Sequence, residues 1–176
     1  MKDQPIFLFP YDSSWPEKFE KEKQLIDETI GEYITGGIHH VGSTAIPGLS
    51  AKPIIDILVG VESLEESKPC IEILKKIDYM HAPYKVQYEH WFCKPNPENR
   101  EFHLHLMPAN SPEFKAKIAF RDWLRDYSGD REEYEKLKQD LAKKYENDRE
   151  AYTKAKTEFV KKIIAKSLGP DFKFEL

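Results

Sequence analysis

Cysteine is scarce in this chain, and long apolar runs are absent. The 176 residues include two cysteines, Cys70 and Cys93, and neither belongs to a CxxC pair, so the sequence predicts neither a disulfide framework nor a zinc knuckle. The apolar run 6–9 is ended by Pro10 and is too short for a signal-peptide core. No apolar stretch in the chain is long enough to cross a bilayer. We therefore expect a reduced, cytoplasmic protein with no membrane partner.

An excess of positive charge is also missing. The 27 basic and 31 acidic residues give a net charge of −4, so no global field would attract nucleic acid or anionic lipid. Any phosphate must then be bound by a local cluster of residues. The chain shows no internal repeat and no low-complexity linker, and its length suits one domain, so we predict that residues 1–176 form a single domain.

The order of strand and helix signals predicts an α+β fold. Apolar runs bounded by glycine, proline or polar residues predict strands over 38–41, 53–61, 86–93 and 101–107. Gly36 and Gly37 are expected to break the chain before the first strand, and the turn at 95–97 predicts that the last two strands pair antiparallel. Start signals predict helices that begin near positions 14, 63, 111, 130 and 147. We expect a mixed sheet with a C-terminal helical pack behind it.

The loop between the first two predicted strands is the most informative stretch. Gly42 permits a sharp turn and a close approach of the backbone to a ligand. Ser43 and Thr44 add hydroxyls beside backbone N–H groups, and Lys52 adds a cation at the far end of the loop. Asp56 follows inside an apolar strand, where an unpaired carboxylate would be costly. The pattern indicates a phosphate site beside a functional carboxylate. The alternative is a tight turn with capping hydroxyls and an aspartate paired to an arginine.

Two histidines alternate along the last predicted strand. His103 and His105 share one face with Glu101, and the opposite face is apolar, with Phe102, Leu104 and Leu106. Together with Asp56 from a neighbouring strand, the imidazoles could hold a divalent metal or act as acid and base. The alternative is a pair of histidines on a hydrogen-bonded structural face. For His39 and His40, which precede the loop, we favour a structural role.

Basic residues on the predicted C-terminal helices form a third group. Lys117, Arg121 and Arg125 recur every four residues on one helical face. We interpret Lys117 and Arg125 as solvated surface with ion pairs to neighbouring aspartates. Arg121 follows the apolar pair 119–120 and could contact phosphate with both arms of its guanidinium. Lys156, on the last predicted helix, could neutralise further negative charge.

Six motifs together resemble the GrpB family, and they run in order over nearly the whole chain. They are Tyr11-Asp-x-x-Trp15 with Phe19; His40-Val-Gly-Ser-Thr-Ala-Ile-Pro-Gly-Leu49; Lys52-Pro-Ile-Ile-Asp-Ile57; Arg100 followed by His103-Leu-His105; Phe120-Arg-Asp-x-Leu124; and Arg149-x-x-Tyr152-x-x-x-Lys156-x-x-Phe159. Some family members are labelled dephospho-CoA kinase. This chain has no G-x-x-x-x-G-K-[ST] loop, so we do not carry that activity over.

The family is placed in the nucleotidyltransferase superfamily, and the resemblance implies that superfamily's site. Such a site has a Gly-Ser turn and two carboxylates, one residue apart on the next strand, that hold Mg²⁺ ions around a nucleoside triphosphate. Gly42 and Ser43 match the turn, and Asp56 matches one of the paired carboxylates. Ile54 and Leu58 occupy the positions where its partner would lie. The chain therefore lacks one of the two paired carboxylates on which the two-metal mechanism of that superfamily depends.

The leading hypothesis is therefore a nucleotidyltransferase-like domain, either an enzyme or a ligand-binding relative of one, that acts on a nucleotide or another phosphorylated small molecule. Catalysis and the binding of a divalent metal, Mg²⁺ or Mn²⁺, are predicted for Asp56, His103 and His105. Phosphate contact is predicted for Gly42, Ser43, Thr44, Lys52, Arg121 and Lys156. Two alternatives remain open: a non-catalytic binding module that lost a metal carboxylate, and a metal-dependent hydrolase built on the same aspartate and histidines. The sequence makes no prediction of the oligomeric state.

Overall fold

The computed structural model describes residues 5–175. Helices and strands interleave in the first two thirds of the chain, and helices alone follow. The strands are β1 (Ile34–Val41), β2 (Ile55–Val61), β3 (Met80–Ala82), β4 (His90–Pro95) and β5 (Arg100–Pro108). The helices are α1 (Trp15–Ile30), α2 (Cys70–Leu74), α3 (Pro112–Asp126), α4 (Ser128–Lys144), α5 (Arg149–Ala155) and α6 (Thr157–Leu168). Within 5–175, no helix combines the length and the apolarity that a bilayer span requires.

The strands form one mixed sheet in the order β1-β2-β5-β4-β3. Strands β2 and β5 run parallel at its centre, and the other neighbouring pairs are antiparallel. The antiparallel β4–β5 pair confirms the prediction made from the turn at 95–97. The predicted α+β architecture with a mixed sheet and flanking helices is likewise confirmed.

One face of the sheet carries the main apolar core. Ile57 of β2, Leu104 of β5 and Phe92 of β4 are fully buried on this face. They belong to the same cluster as Trp15 and Ile26 of α1, because alternate residues of the strands point to one side. Helices α1 and α2 therefore cover this face.

The opposite face of the sheet is covered by residues from the C-terminal part of the chain. Leu58 of β2 and Met107 of β5 pack there against Phe114 of α3. The loop after β1 is fixed to the same helices, since Ile46 and Leu49 are fully buried in a cluster that includes residues of α3, α4 and α6. The loop is thus held between the sheet and the helical pack.

Two glycines expected to precede β1 lie inside it. A side chain at Gly36 would come within 2.4 Å of Ala109 Cβ, and one at Gly60 would come within 2.5 Å of Gly36 Cα. The absence of side chains therefore lets the backbones of β1 and β2 approach closely. The prediction that Gly36 and Gly37 break the chain before the strand was wrong, because close packing between strands is the reason for glycine at position 36.

The strand predicted over 86–93 begins only at His90. The residues before it form a turn, in which the backbone N–H groups of Tyr88 and Glu89 donate to the Lys85 carbonyl at 2.8 and 3.1 Å. Lys85 itself has a positive φ of 47°, which is incompatible with a strand. The first four residues of the predicted strand therefore belong to this turn.

The predicted helix starts are correct in part. Ser111 caps α3, since its side chain accepts a hydrogen bond from the Phe114 N–H at 3.2 Å. The helix expected near position 130 is present as α4, which begins at Ser128, but the Asp130 carboxylate accepts from Trp123 Nε1 at 2.7 Å instead of capping. The helix expected from position 63 is largely turns, and α2 spans only Cys70–Leu74.

Candidate functional site

Asp56, His103 and His105 meet on the face of the sheet opposite the main core. Asp56 in β2 lies directly beside His103 in the parallel strand β5. Its Oδ1 lies 3.0 Å from His103 Nδ1 and 3.9 Å from His105 Nε2. The histidines share this face because they are two residues apart on one strand. The partner of Asp56 is therefore an imidazole, and the alternative of an aspartate paired to an arginine was wrong.

Glu89 extends the group to a row of four ionisable side chains. Its Oε2 lies 2.5 Å from His105 Nδ1, and the residue is only 3% exposed. We call Glu89, His105, Asp56 and His103 the acid–imidazole row. Sequence analysis missed Glu89. Strand β4 begins at His90, and Glu89 reaches His105 from the turn before it, so strand alternation does not indicate its place in the row.

The environment gives the members of the row different charges. Burial raises the pKa of Asp56, but the hydrogen bond from His103 and the nearby His105 outweigh burial and hold it well below its ordinary value. The pKa of Glu89 falls to about 2, because the charge and hydrogen bond of His105 outweigh burial. Burial lowers the pKa of His105, but the two carboxylates raise it above its ordinary value. His105 is thus favoured as an imidazolium between two carboxylates.

His103 has the opposite character. Burial lowers its pKa more than Asp56 raises it, which favours a neutral ring. An ionised carboxylate only accepts hydrogen bonds, so His103 Nδ1 carries the hydrogen and donates to Asp56, and Nε2 keeps a free lone pair. Within residues 5–175, His103 Nε2 is a buried side-chain atom without a hydrogen-bond partner. Such an atom is costly to leave unpaired and marks a place where a ligand atom or water would be stabilised.

The turn after β1 lies directly over Asp56. Gly42 has a positive φ of 71°, and a Cβ at this position would come within 2.3 Å of Asp56 Oδ2. Glycine is therefore needed both for the backbone conformation and for the space that the carboxylate occupies. This geometry brings Gly42 and Asp56 together, as the sequence predicted.

The two hydroxyls of the turn point in different directions. Ser43 is half-buried and its hydroxyl interacts with the Tyr134 phenol of α4. Thr44 is 1% exposed, lies 2.9 Å from His40 Nε2 and donates to the Ile54 carbonyl at 3.3 Å. Thr44 therefore points into the protein, where its predicted contact with phosphate has no support, whereas Ser43 stays beside the row.

The arginines of α3 hold the turn from behind. Arg121 Nη1 donates to the His40 carbonyl at 3.0 Å, and Arg125 Nε donates to the Ala45 carbonyl at 2.8 Å. Arg121 also pairs with Asp122 through Nε at 2.7 Å, so its Nε and Nη1 are engaged by Asp122 and by the backbone of the turn. The interpretation of Arg125 as solvated surface was wrong in this respect, although its expected ion pair with Asp122 is present at 4.0 Å.

The histidines before the turn have structural contacts, as expected. His40 lies on the core face, where its ring stacks on Phe19 at a centroid distance of 4.9 Å. Burial lowers the pKa of His40 to about 4, so the ring is neutral. His39 Nε2 lies 2.8 Å from the Gly36 carbonyl.

Lysines gather around Tyr152 of α5, next to Asp56. The Nζ atoms of Lys52 and Lys156 lie 5.5 and 4.2 Å from the Tyr152 ring centroid. Burial, then the charges of Lys52 and Lys138, lower the pKa of Lys156 to about 8, and Asp56 offsets this only in part. We call Lys52, Lys156 and Tyr152 the lysine cluster. Like charges held together in this way favour an anionic ligand.

Lys117 of α3, which we interpreted from the sequence as a surface residue, lies near the Glu89 end of the row. Lys117 is half-buried, and its charge acts on both Glu89 and His105. Lys117 is therefore less solvated than predicted, and its charge acts on the Glu89 end of the row.

Metal ligands do not converge in this arrangement. Across residues 5–175, no group of three His, Cys, Asp or Glu side chains is placed to hold a metal ion. Asp56 and His103 direct their polar atoms at each other, and His105 directs Nδ1 at Glu89. The predicted Mg²⁺ or Mn²⁺ site at Asp56, His103 and His105 stays a prediction, and this geometry does not fit it. The metal-dependent hydrolase alternative relies on the same ligands.

The protein is thus a mixed-sheet α+β domain with a partly buried acid–imidazole row under a glycine turn and beside a lysine cluster. A model of the family described as "GrpB protein" matches residues 5–166, and the chain belongs to this family. The resemblance inferred from the motifs is thereby confirmed at the level of the family. Membership of the nucleotidyltransferase superfamily stays a prediction.

Several relatives support this assignment. The chain is 40% identical over 143 residues to the glutamate-rich protein GrpB of Alkalihalophilus pseudofirmus, covering 78% of this chain and 82% of that protein. It is 34% identical over 145 residues to a UPF0157 protein of Halalkalibacterium halodurans, covering 78% and 70%. It is 27% identical over 164 residues to a dephospho-CoA kinase of Mycobacterium bovis, covering 79% of this chain but 40% of that protein.

A solved structure has the same fold. The crystal structure of the conserved protein GrpB from Enterococcus faecalis superposes with a TM-score of 0.84 at 30% sequence identity. The match covers 95% of this chain and all of that one. The order of strands and helices described above is therefore the architecture of a GrpB protein.

Proposed function

We propose that this GrpB-family domain binds a phosphorylated small molecule, with nucleotides as the favoured class, and that His103 moves a proton at the bound phosphoryl group. The observation that carries the proposal is the unpartnered Nε2 of His103, oriented by Asp56 and lying on the same face as the lysine cluster. A reaction at phosphorus needs an oriented base and fixed positive charge. The base is supplied here by His103 of β5 and the positive charge by Lys52 and Lys156.

Each member of the site has a distinct part in the proposed reaction. Lys52 and Lys156 neutralise the phosphoryl oxygens. His103 Nε2 takes the proton of a hydroxyl or water whose oxygen forms a new bond to phosphorus, while the bond from phosphorus to the leaving oxygen breaks. Asp56 fixes the tautomer of His103 and stabilises the imidazolium that forms, as a carboxylate does behind a catalytic histidine. His105, kept charged by Glu89, favours the ionised form of Asp56.

The nucleotidyltransferase reaction is the specific form of this chemistry that we favour. Gly42 and Ser43 next to Asp56 match the turn and one carboxylate of that superfamily. The similar stretch within a dephospho-CoA kinase also fits a phosphorylated ligand. The proposed reaction is supported by Asp56, His103 and the lysine cluster of this chain, and not by the name of that relative.

Calorimetric titration with ATP, GTP, CTP and UTP, each with and without Mg²⁺ or Mn²⁺, tests the proposal. We expect the wild type to bind at least one nucleotide. Asp56→Asn and His103→Gln should keep most of the affinity and lose turnover, since they change the base and not the lysine cluster. Lys115→Gln, a change at an exposed lysine of α3, is the matched control. Wild-type protein that binds no nucleotide under any of these conditions would contradict the proposal.

A non-catalytic binding module is the second candidate, and one observation favours it. Leu58 is fully buried among Val41, Met107 and Phe114, so its position belongs to the apolar packing and not to a carboxylate pair. This candidate predicts nucleotide binding that is indifferent to metal and to Asp56→Asn, with no turnover. The same titrations, followed by chromatography of the nucleotide, separate the two candidates.

A further inference from the structure

The turn before β4 exposes two large side chains close to the acid–imidazole row. Tyr84 is 49% exposed and Val86 is 59% exposed. Glu89, at the end of the same turn, is buried and bonded to His105. The turn therefore runs from the exposed side chains of Tyr84 and Val86 to the buried Glu89 at the end of the row. Exposed apolar groups beside a polar site are typical of ligand contact.

Aromatic contacts lead from Tyr84 to His103. The ring centroids of Tyr84 and Trp91 lie 6.1 Å apart, and those of Trp91 and His103 lie 5.1 Å apart. Trp91 in β4 is paired with His105 in β5, which places it on the same face as the row. The Arg100 guanidinium lies 5.4 Å from the Trp91 ring centroid and supports that ring from β5. We call Tyr84 and Trp91 the aromatic edge.

Helix α5 spans the distance between the aromatic edge and the lysine cluster. Arg149, its first residue, lies within electrostatic reach of Tyr84, His103 and Lys156. Tyr152, one turn further along, carries Lys52 and Lys156 near its ring. A ligand lying along α5 could therefore contact an aromatic surface at one end and ammonium groups at the other, with His103 between them.

We infer that the aromatic edge receives a flat heterocyclic ring, a nucleobase, of the same ligand whose phosphate lies on the lysine cluster. The inference rests on the proposed function and deepens it, since it identifies the substrate class as nucleotides rather than phosphate esters in general. Stacking on an aromatic side chain tolerates every base, because every base has a π face. The aromatic edge should therefore distinguish a nucleotide from an inorganic polyphosphate, and should discriminate weakly among the four bases.

Calorimetry with ATP and with inorganic tripolyphosphate tests the inference, because both carry three linked phosphates and only ATP carries a nucleoside with its flat base. The wild type should bind ATP more tightly than tripolyphosphate by roughly tenfold, the size expected for one stacked base. Tyr84→Ala should remove most of that difference and leave the affinity for tripolyphosphate unchanged. Tyr84→Phe, which keeps the ring, should retain the preference for ATP. Tyr127→Ala is the matched control, since Tyr127 is 51% exposed.

The outcomes separate this inference from the proposed function. Equal affinity of the wild type for ATP and tripolyphosphate would overturn the aromatic edge while the proposed phosphate site stands. Binding of neither compound would contradict the proposed function and the inference with it. A loss of tripolyphosphate affinity in Tyr84→Ala that matches the loss for ATP, or an equal effect of Tyr127→Ala, would show that the change acts on the fold and would also overturn the inference.

Discussion

The two faces of the sheet are built from alternate residues of the same strands, but different forces organise them. On the face under α1 and α2, Leu104 and Ile57 make apolar contacts that need no particular direction. On the other face, Asp56, His103 and His105 make contacts that require a specific partner atom, because a buried polar group without one is costly. The comparison indicates that stability depends mainly on the first face and ligand binding on the second.

Truncation of neighbouring residues in β5 is the test of this division of roles with the largest expected effect. Leu104→Ala should lower the free energy of unfolding by about 2–5 kcal/mol, because it leaves a cavity in the main core. His103→Gln should lower it by about 1 kcal/mol, the usual net contribution of one hydrogen bond. Urea denaturation followed by circular dichroism measures both values. Equal losses for the two variants would refute the division of roles between the faces.

Acidification tests the one imidazole of β1 that lies on the core face. The pKa of His40 is lowered by burial to about 4, so the unfolded chain binds its proton at higher pH than the folded chain does. Stability contributed by the neutral ring is complete above about pH 6.5 and is lost as pH falls towards 4. The loss should reach roughly 3 kcal/mol by pH 4.

His40→Phe is the control for that experiment. Phenylalanine keeps the stack on Phe19 and cannot titrate, so the variant should show a flatter decline of unfolding free energy between pH 6.5 and 4. Urea melts at several pH values measure the two slopes. Parallel slopes for wild type and variant would mean that His40 does not titrate on unfolding.

The smallest effect is expected for ligand affinity at the lysine cluster. The pKa of Lys156 is lowered to about 8, so its ammonium charge is present below that pH and is lost above it. Affinity for ATP should therefore fall as pH rises from 7 to 9. Lys156→Gln should weaken binding roughly tenfold at pH 7, as expected for the loss of a charged hydrogen bond. Lys156→Arg should keep the affinity and flatten the pH profile, and an unchanged profile in that variant would place the titrating group elsewhere.

The pairing of Asp56 with the histidines could be predicted from the sequence because it depends on local rules. Leu104 between His103 and His105 indicates a strand with one apolar face. Asp56 within an apolar run indicates a second strand, in the centre of the sheet. These patterns identify which residues share a face. The sheet then brings the faces of β2 and β5 into register.

The rest of the site depends on contacts that no local pattern describes. Thr44 points inward because His40 and the Ile54 carbonyl, ten residues along the chain, both lie within reach of its hydroxyl. Lys138 is 2% exposed because its Nζ reaches the Ser50 carbonyl, which becomes a neighbour only when α4 packs on the loop. Glu89 joins the row through a turn whose shape depends on Lys85. Each of these roles requires the tertiary fold.

The arginine contacts to the turn after β1 have a consequence for binding thermodynamics. With the His40 and Ala45 carbonyls held by Arg121 and Arg125, the backbone of the turn is already ordered before a ligand arrives. A preorganised turn has little conformational entropy left to lose, so few contacts can give useful affinity. The amide protons of Ala45 and Ile46, which donate to the Gly42 and Ser43 carbonyls at 3.2 Å, should accordingly exchange slowly in the free protein and change little on saturation with ligand.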